Sequence, residues 1–399
     1  MRDEYRIAVV GAGGLGSAAA YWLSRTVGPE VVCLEQYEVG HELGASEDHS
    51  RIIRLAYHAE RYTGLAKSAY AAWDVVEAES GVALVHRTGS VDIARPGTDG
   101  GAILDAFARA MSAHEIAFER LDAGELMARW PQFRVPDDHQ ALYQADGGIL
   151  DIRRACAVNL ALARAHGASV VPHAGVRAIR STQDGVEIDT AAGTIRAERA
   201  LLCTGAWTPT VLRGLGIELP IRLTHEQVTY FATTQLARFA PDRFPVWLWH
   251  GEHEYYGFPV YGEVATKAAR ENLGGPQIDM ETWDRVPDAE QAAAVARFCE
   301  SILPGFTGPV LRTRACIYDM PPDRDFILDQ VPGHPRLTMA LGAGHAAKFA
   351  SVIGRILSEL TLTGTTRYPI EPFRVDRPAI TDPEYAGAYR LGGEAVAAA

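Results

Sequence analysis

Three glycines in the order GxGxxG, Gly11, Gly13 and Gly16, follow an apolar run at residues 6–10. At that spacing the first makes a tight turn, the second lets backbone approach a pyrophosphate, and the third lets helix and strand pack closely. The helix expected after the turn offers phosphate its N-terminal amides and partial positive charge. Glu35, at the end of the next apolar run, is placed to accept hydrogen bonds from an adenosine ribose and would repel a 2′-phosphate. These residues point to dinucleotide binding with NADP disfavoured, and their local physics serves FAD and NAD equally.

Other reactive side chains carry weaker local signals. Cys33, Cys156, Cys203, Cys299 and Cys316 are scattered without a CxxC pair, so neither a metal site nor a dithiol is expected, and a reduced, cytoplasmic chain is the simplest reading. Taken alone, Cys316 reads as a small buried apolar residue, Arg54 as a strand-edge charge and Lys348 as a solvated helix residue. His345 stands three residues before Lys348, so on a helical turn the two share a face, next to glycines at 342 and 344 that permit close approach.

Those side chains need a framework to position them. The chain has 399 residues, 47% apolar and 22% charged, enough for two or three domains of about 150 residues. With 38 Lys+Arg against 50 Asp+Glu, a formal charge of -12, nucleic acid is not an expected partner. Neither a leader nor a membrane-spanning run is expected. Strands are expected at 6–10 and 31–34 around a glycine turn at 11–16 and a helix at 17–25, and further helices at 62–78, 102–114 and 153–166. Residues 170–195 alternate as paired strands about a turn at Gln183, Asp184 and Gly185, and 200–203 reads as a separate short strand. Between 221 and 317, aromatic-rich runs such as FPVWLWH and YYGFPVYG predict a mainly antiparallel unit with one helix at 289–302. A strand from 336 and a long helix through 348–362 echo the opening unit. The alanine-rich end EAVAAA is expected to fray.

Several blocks, in order, carry a resemblance: VVGAGGLGSAAAYWL, SRIIRLAY at 50–57, MARWPQFRVPDD, LLCTGAW, YYGFP at 255–259, RACIYDMPPDRDFILD at 314–329 and GAGHAAKFASVIG at 342–354. Nearly end to end, the chain resembles the D-amino-acid-oxidase superfamily, in particular its monomeric sarcosine oxidase and N-methyltryptophan oxidase branch. The resemblance implies an α/β protein in which a discontinuous Rossmann-type FAD-binding domain (1–90, 150–218 and 322–385) carries a mainly antiparallel substrate domain (91–149 and 219–321), with a tail at 386–399.

The same resemblance implies site roles. FAD is expected on Gly11, Gly13, Gly16, Glu35, Val176, Gly344 and Lys348, tethered through its 8α-methyl to Cys316. Arg54 and Lys348 would clamp a substrate carboxylate, Tyr256 and Tyr318 would line the cavity, Arg51 would lie over the flavin, and His345 would join the catalytic group. Lys267 would promote oxygen reduction as a fixed cation. Two departures stand out: Ser46, Glu47, Asp48, His49 and Ser50 replace a His-His-Gly-Asp-Thr run, and Glu271 replaces an active-site histidine. Glu271 is expected either to select a substrate with a cationic or hydrogen-bond-donating group or to point away from the pocket. The implied activity is oxidation of a secondary or N-methyl amino acid to an imine with oxygen as acceptor, by a protein expected to be monomeric. A biosynthetic flavoenzyme acting on a cyclic imino acid, a flavin dehydrogenase with another acceptor, a simple NAD dehydrogenase, and a protein that keeps the fold without turnover are the alternatives.

Overall fold

The structure is a computed structural model that describes residues 2–271 and 275–389. The EAVAAA run lies outside the described residues. Among those described are two eight-stranded sheets and one of three strands, and no helix is long and apolar enough to cross a membrane.

Strands with apolar residues on both faces need cover on both. Glu4–Val10, Val31–Leu34 and the C-terminal half of His334–Leu341 are of this kind, and they form a parallel core with Ser169–Val171 and the end of Gly193–Leu202. Val9 sits opposite Cys33 on one side and Leu201 on the other. Ile7, Val9, Val31 and Cys33 pack in a core with residues of the helices Gly14–Val27, Ile152–Ala165 and Ala350–Thr363. Ala8, Val10, Val32 and Leu34 face the opposite core with Ile188, Leu212 and Met339.

Two expectations change here. The helix opens at Gly14, because Ser17 N already donates to Gly13 O at 2.9 Å. The strand expected at 200–203 is the end of the ten-residue strand Gly193–Leu202. Its first half, with Ile195 and Ala197 buried between exposed neighbours, pairs antiparallel with Val186–Thr190, while its buried end runs parallel to Glu4–Val10. One strand thus carries two hydrophobic patterns because its surroundings change along it.

The helices Glu60–Ser80, Asp99–Ala113 and Ile152–Ala165 lie within three residues of expectation, and Ala289–Ile302 coincides with it. The helix expected through 348–362 is instead a 3-10 turn, Ala346–Phe349, followed by Ala350–Thr363.

The second sheet runs Val310–Met320, Arg222–Phe231, Thr266–Glu271, Glu254–Phe258, Val246–His250, Ser90–Ala94, Gln140–Gln144 and Glu119–Asp122. It is antiparallel except where Val246–His250 meets Ser90–Ala94. Its alternation is clean: Val91, Ile93, Trp247, Ala268 and Phe231 pack with Val295 and Cys299 of the helix, so their neighbours in sequence face the other way.

Candidate active site

At one end of the site, the glycine turn is sterically determined. Gly11 has φ +98°, and a Cβ there would lie 2.3 Å from the Cys203 carbonyl oxygen; a Cβ on Gly16 would lie 1.9 Å from the Gly11 carbonyl oxygen. No side chain fits at either position, whereas a Cβ on Gly13 would meet only Ser46, at 3.3 Å. Gly13 caps the 14-residue helix without a side-chain hydrogen bond. Ser46 Oγ accepts from Gly14 N at 2.8 Å, leaving other first-turn donors for a ligand. Glu35 is buried beside this turn, accepting from Ala12 N at 2.9 Å and Tyr37 N at 3.1 Å, with His41 Nε2 at 3.2 Å. Burial alone would raise its carboxyl, but these partners hold it below the usual carboxylate value.

From this turn a cavity of about 370 Å³, with Val176 on its wall, runs to the second sheet and is lined there by Tyr256, Phe258, Lys267, Glu271, Cys316 and Tyr318. Strand register explains the grouping. Phe258 sits opposite Lys267, and alternation brings Tyr256, Glu271, Cys316 and Tyr318 to the same face. Cys316 is a free cysteine; burial pushes its thiol up to about 12, and the Arg51 guanidinium opposes that rise.

Lys267 is 3% exposed. Its ammonium donates to Asp48 Oδ2 at 2.6 Å, Ser50 O at 3.0 Å and Ser50 Oγ at 3.1 Å, one acceptor for each of its three protons. Burial lowers its pKa, and Asp48 opposes the fall. Asp48 also accepts from the Tyr230 hydroxyl and lies 3.9 Å from Arg51 and 4.0 Å from Arg312. Burial would raise the Asp48 carboxyl, yet Lys267 and Arg51 hold it well below the carboxylate range. Its φ of +77° is unusual for a residue with a side chain. Arg51 staples the same loop, donating to the carbonyls of Ser50 and Ala45 at 2.9 Å and of Glu47 at 2.8 Å.

Arg54 is paired with the buried carboxylate of Asp92, whose same oxygen lies 2.8 Å from His250 Nε2. The guanidinium stacks over the Phe107 ring, 4.9 Å from its centroid. Lys348 forms no ion pair among the described residues, and its Nζ is 5.8 Å from the Tyr57 ring centroid. Burial, then Arg54, lowers its pKa to about 7.

His345 lies among Phe326, Tyr62 and Phe349 with Nε2 3.0 Å from the Arg324 carbonyl oxygen. Burial, with Lys348 and Arg324 nearby, drives its pKa well below the usual histidine value. The ring is therefore neutral, and its Nε2–H holds the turn that carries Arg324. Gly344, at φ +73°, makes room for an aromatic ring: a Cβ there would sit 2.5 Å from Tyr318 Cγ.

Glu271 turns into the cavity and pairs with Arg324, which is 2% exposed. Burial would raise the Glu271 carboxyl, but Arg324, with Lys348 and Arg54 beyond it, holds it low. Asp92, Tyr230 and Arg324 are not singled out by the sequence. Strand partnering with Lys267 is the signal for Tyr230, and Arg324 sits inside the block RACIYDMPPDRDFILD. The glycine turn, the helix N-terminus, the carboxylate of Glu35 and the long cavity between them and the free thiol fit a dinucleotide cofactor.

Comparisons with known proteins agree with this geometry. The FAD dependent oxidoreductase family (DAO) matches residues 6–360. An N-methyl-L-tryptophan oxidase of Salmonella arizonae is 34% identical over 384 residues, spanning 94% of this chain and 99% of that protein. A monomeric sarcosine oxidase of a Bacillus species is 30% identical over 385 residues, spanning 95% and 98%. Among solved structures, the open form of NikD, an amino acid oxidase essential for nikkomycin biosynthesis, has a TM-score of 0.81 at 26% identity, covering 94% of this chain and 98% of its own. An L-proline dehydrogenase from P. horikoshii shares the fold with a TM-score of 0.83 at 19% identity, covering 94% and 97%.

Proposed function

This chain belongs to the FAD dependent oxidoreductase family, and from that premise we propose that it oxidises a secondary or N-methyl amino acid to an imine, with oxygen reduced to hydrogen peroxide. The observation that carries this reading is the single cavity joining the glycine turn to a wall that bears Arg54, Lys267, Cys316 and Lys348.

Bound FAD would accept the hydride equivalent that leaves the carbon beside the amine nitrogen as the imine forms, with oxygen as the final acceptor. Gly11, Gly13, Gly16, Glu35 and Val176 hold its nucleotide end, and Cys316 is its covalent attachment point. Lys348 is the cation for the substrate carboxylate, and Arg54, fixed by Asp92, presents the rest of its fork beside it. Tyr256 and Tyr318 wall the substrate against the cofactor and restrict its orientation. His345 positions Arg324 and so acts through it. Lys267, held by Asp48 and Ser50, is a fixed charge near which negative charge develops on oxygen. We assign cofactor binding to residues 1–90, 150–218 and 322–385 and substrate binding to 91–149 and 219–321, with Arg54 and Lys348 crossing between the two. A cytoplasmic monomer completes the proposal; size exclusion near 43.3 kDa checks the oligomeric state.

Acid denaturation tests the cofactor assignment. Yellow, flavin-fluorescent material is expected to pellet with the polypeptide and to pass into the supernatant for Cys316→Ala. Protein that never carries flavin contradicts the whole reading. Oxygen uptake with sarcosine and N-methyltryptophan tests the reaction. A dehydrogenase is the second reading, favoured by one observation: Asp48 compensates the charge of Lys267. Amine-dependent dye reduction without oxygen uptake would select it.

A further inference from the structure

One charged pair on the cavity wall, Glu271 and Arg324, has no substrate contact assigned to it above. Along Thr266–Glu271, Lys267 and Glu271 share the cavity face, and Arg324 meets Glu271 from the turn after Val310–Met320. That turn is held firmly: Arg324 takes φ +60°, its N–H donates to Pro321 O at 3.0 Å, and its own carbonyl accepts from His345. The guanidinium is buried, with an Nε–H that no cavity space reaches, so the pair meets the cavity mainly through Glu271, 17% exposed against 2% for Arg324. A carboxylate on a cavity wall loses water when a ligand covers it, and a ligand that supplies a donor removes that cost.

Charge accounting narrows the ligand. Arg54 faces Asp92 and Arg324 faces Glu271, which leaves Lys348 for one substrate carboxylate. A second anion on the substrate would meet Glu271, and a cation would meet Arg324. An apolar group would strip water from the Glu271 carboxylate and return no hydrogen bond. A neutral group carrying a donor satisfies the carboxylate and leaves its charge balance with Arg324 intact. Resting on the amine-oxidase reading, we infer that the Glu271–Arg324 pair is a specificity-determining element that selects an amino acid whose side chain ends in a neutral hydrogen-bonding group, a carboxamide or a hydroxyl.

The test uses two non-oxidisable carboxylates of matched shape, succinamate and 4-methylpentanoate, binding to the FAD-loaded enzyme and followed by the change in flavin absorption. Succinamate is expected to bind about tenfold tighter or more, the scale of one satisfied buried polar group. Equal affinities, or a preference for 4-methylpentanoate, overturn the inference on the unmodified enzyme alone. In Glu271→Leu with Arg324→Met the preference is expected to vanish; a preference that survives overturns the assignment to this pair. If that variant does not hold flavin, Glu271→Met with Arg324→Leu carries the same comparison. An enzyme that prefers succinamate yet oxidises no N-methyl amino acid overturns the amine-oxidase reading and leaves the pair's selectivity standing.

Discussion

Lys348 is the residue whose charge changes in the neutral range. Burial and the neighbouring Arg54 lower its pKa to about 7, and only its protonated form attracts a carboxylate. The sign follows: affinity is full below pH 7 and falls by up to about tenfold per pH unit above it, until the lysine in the complex also deprotonates. Titrating the dissociation constant of succinamate from pH 5.5 to 9 checks this. Lys348→Met is expected to weaken binding at pH 6 by about tenfold or more and to flatten the profile; an unchanged slope would assign the titration to another group. Arg54, although resembling a clamp from its motif, differs in kind, because Asp92 already takes part of its fork. No local pattern links residues 54 and 92, so that difference is invisible until the fold brings Arg54 against the strand Ser90–Ala94.

At the level of elements, the loop at 46–50 and the strand Thr266–Glu271 form one unit through Asp48 and Lys267. Asp48→Asn keeps the shape and removes the charge. Lys267, already lowered by burial, is then expected to fall further, so its positive charge is lost at lower pH and reoxidation by oxygen slows at neutral pH. Anaerobic reduction by substrate should change by less than about threefold, and the lost pairing should cost about 1–3 kcal/mol of stability. Stopped-flow reoxidation across pH, with thermal melting alongside, checks both; an unaltered reoxidation profile would remove Asp48 from this role. Helices such as Ala289–Ile302 are legible from spacing because one face is apolar throughout. Gly193–Leu202 is not, since its neighbours change from solvent to core midway. The 3-10 turn Ala346–Phe349 is likewise settled by what it packs against, the aromatic group of Tyr62, Phe326 and His345.

Across the whole molecule, the cavity is shared: Gly11, Gly13 and Glu35 belong to the first sheet and its crossover, Lys267 and Cys316 to the second. A ligand lying along it therefore couples the two. FAD at 100 times its dissociation constant should stabilise the fold by about 2.7 kcal/mol. Thermal melting of Cys316→Ala, from which FAD is removable, is expected to move upward as FAD is returned. A melting temperature indifferent to FAD would show that the folded variant does not bind it.

The family resemblance, the glycine turn and most elements are determined by the sequence itself, because they depend on contacts within one strand–turn–helix unit or on a period that repeats along the chain. Cys316 and Lys348 are legible as candidates through the blocks around them, and Lys267 through its register after YYGFP. Their states are not: whether Lys267 is compensated, whether Lys348 is unpaired and whether Glu271 faces a guanidinium depend on charges more than 40 residues away, brought within hydrogen-bonding reach by strand register and burial. Burial removes the water that would otherwise screen those charges, so the tertiary structure alone decides which of them are left to act on a substrate.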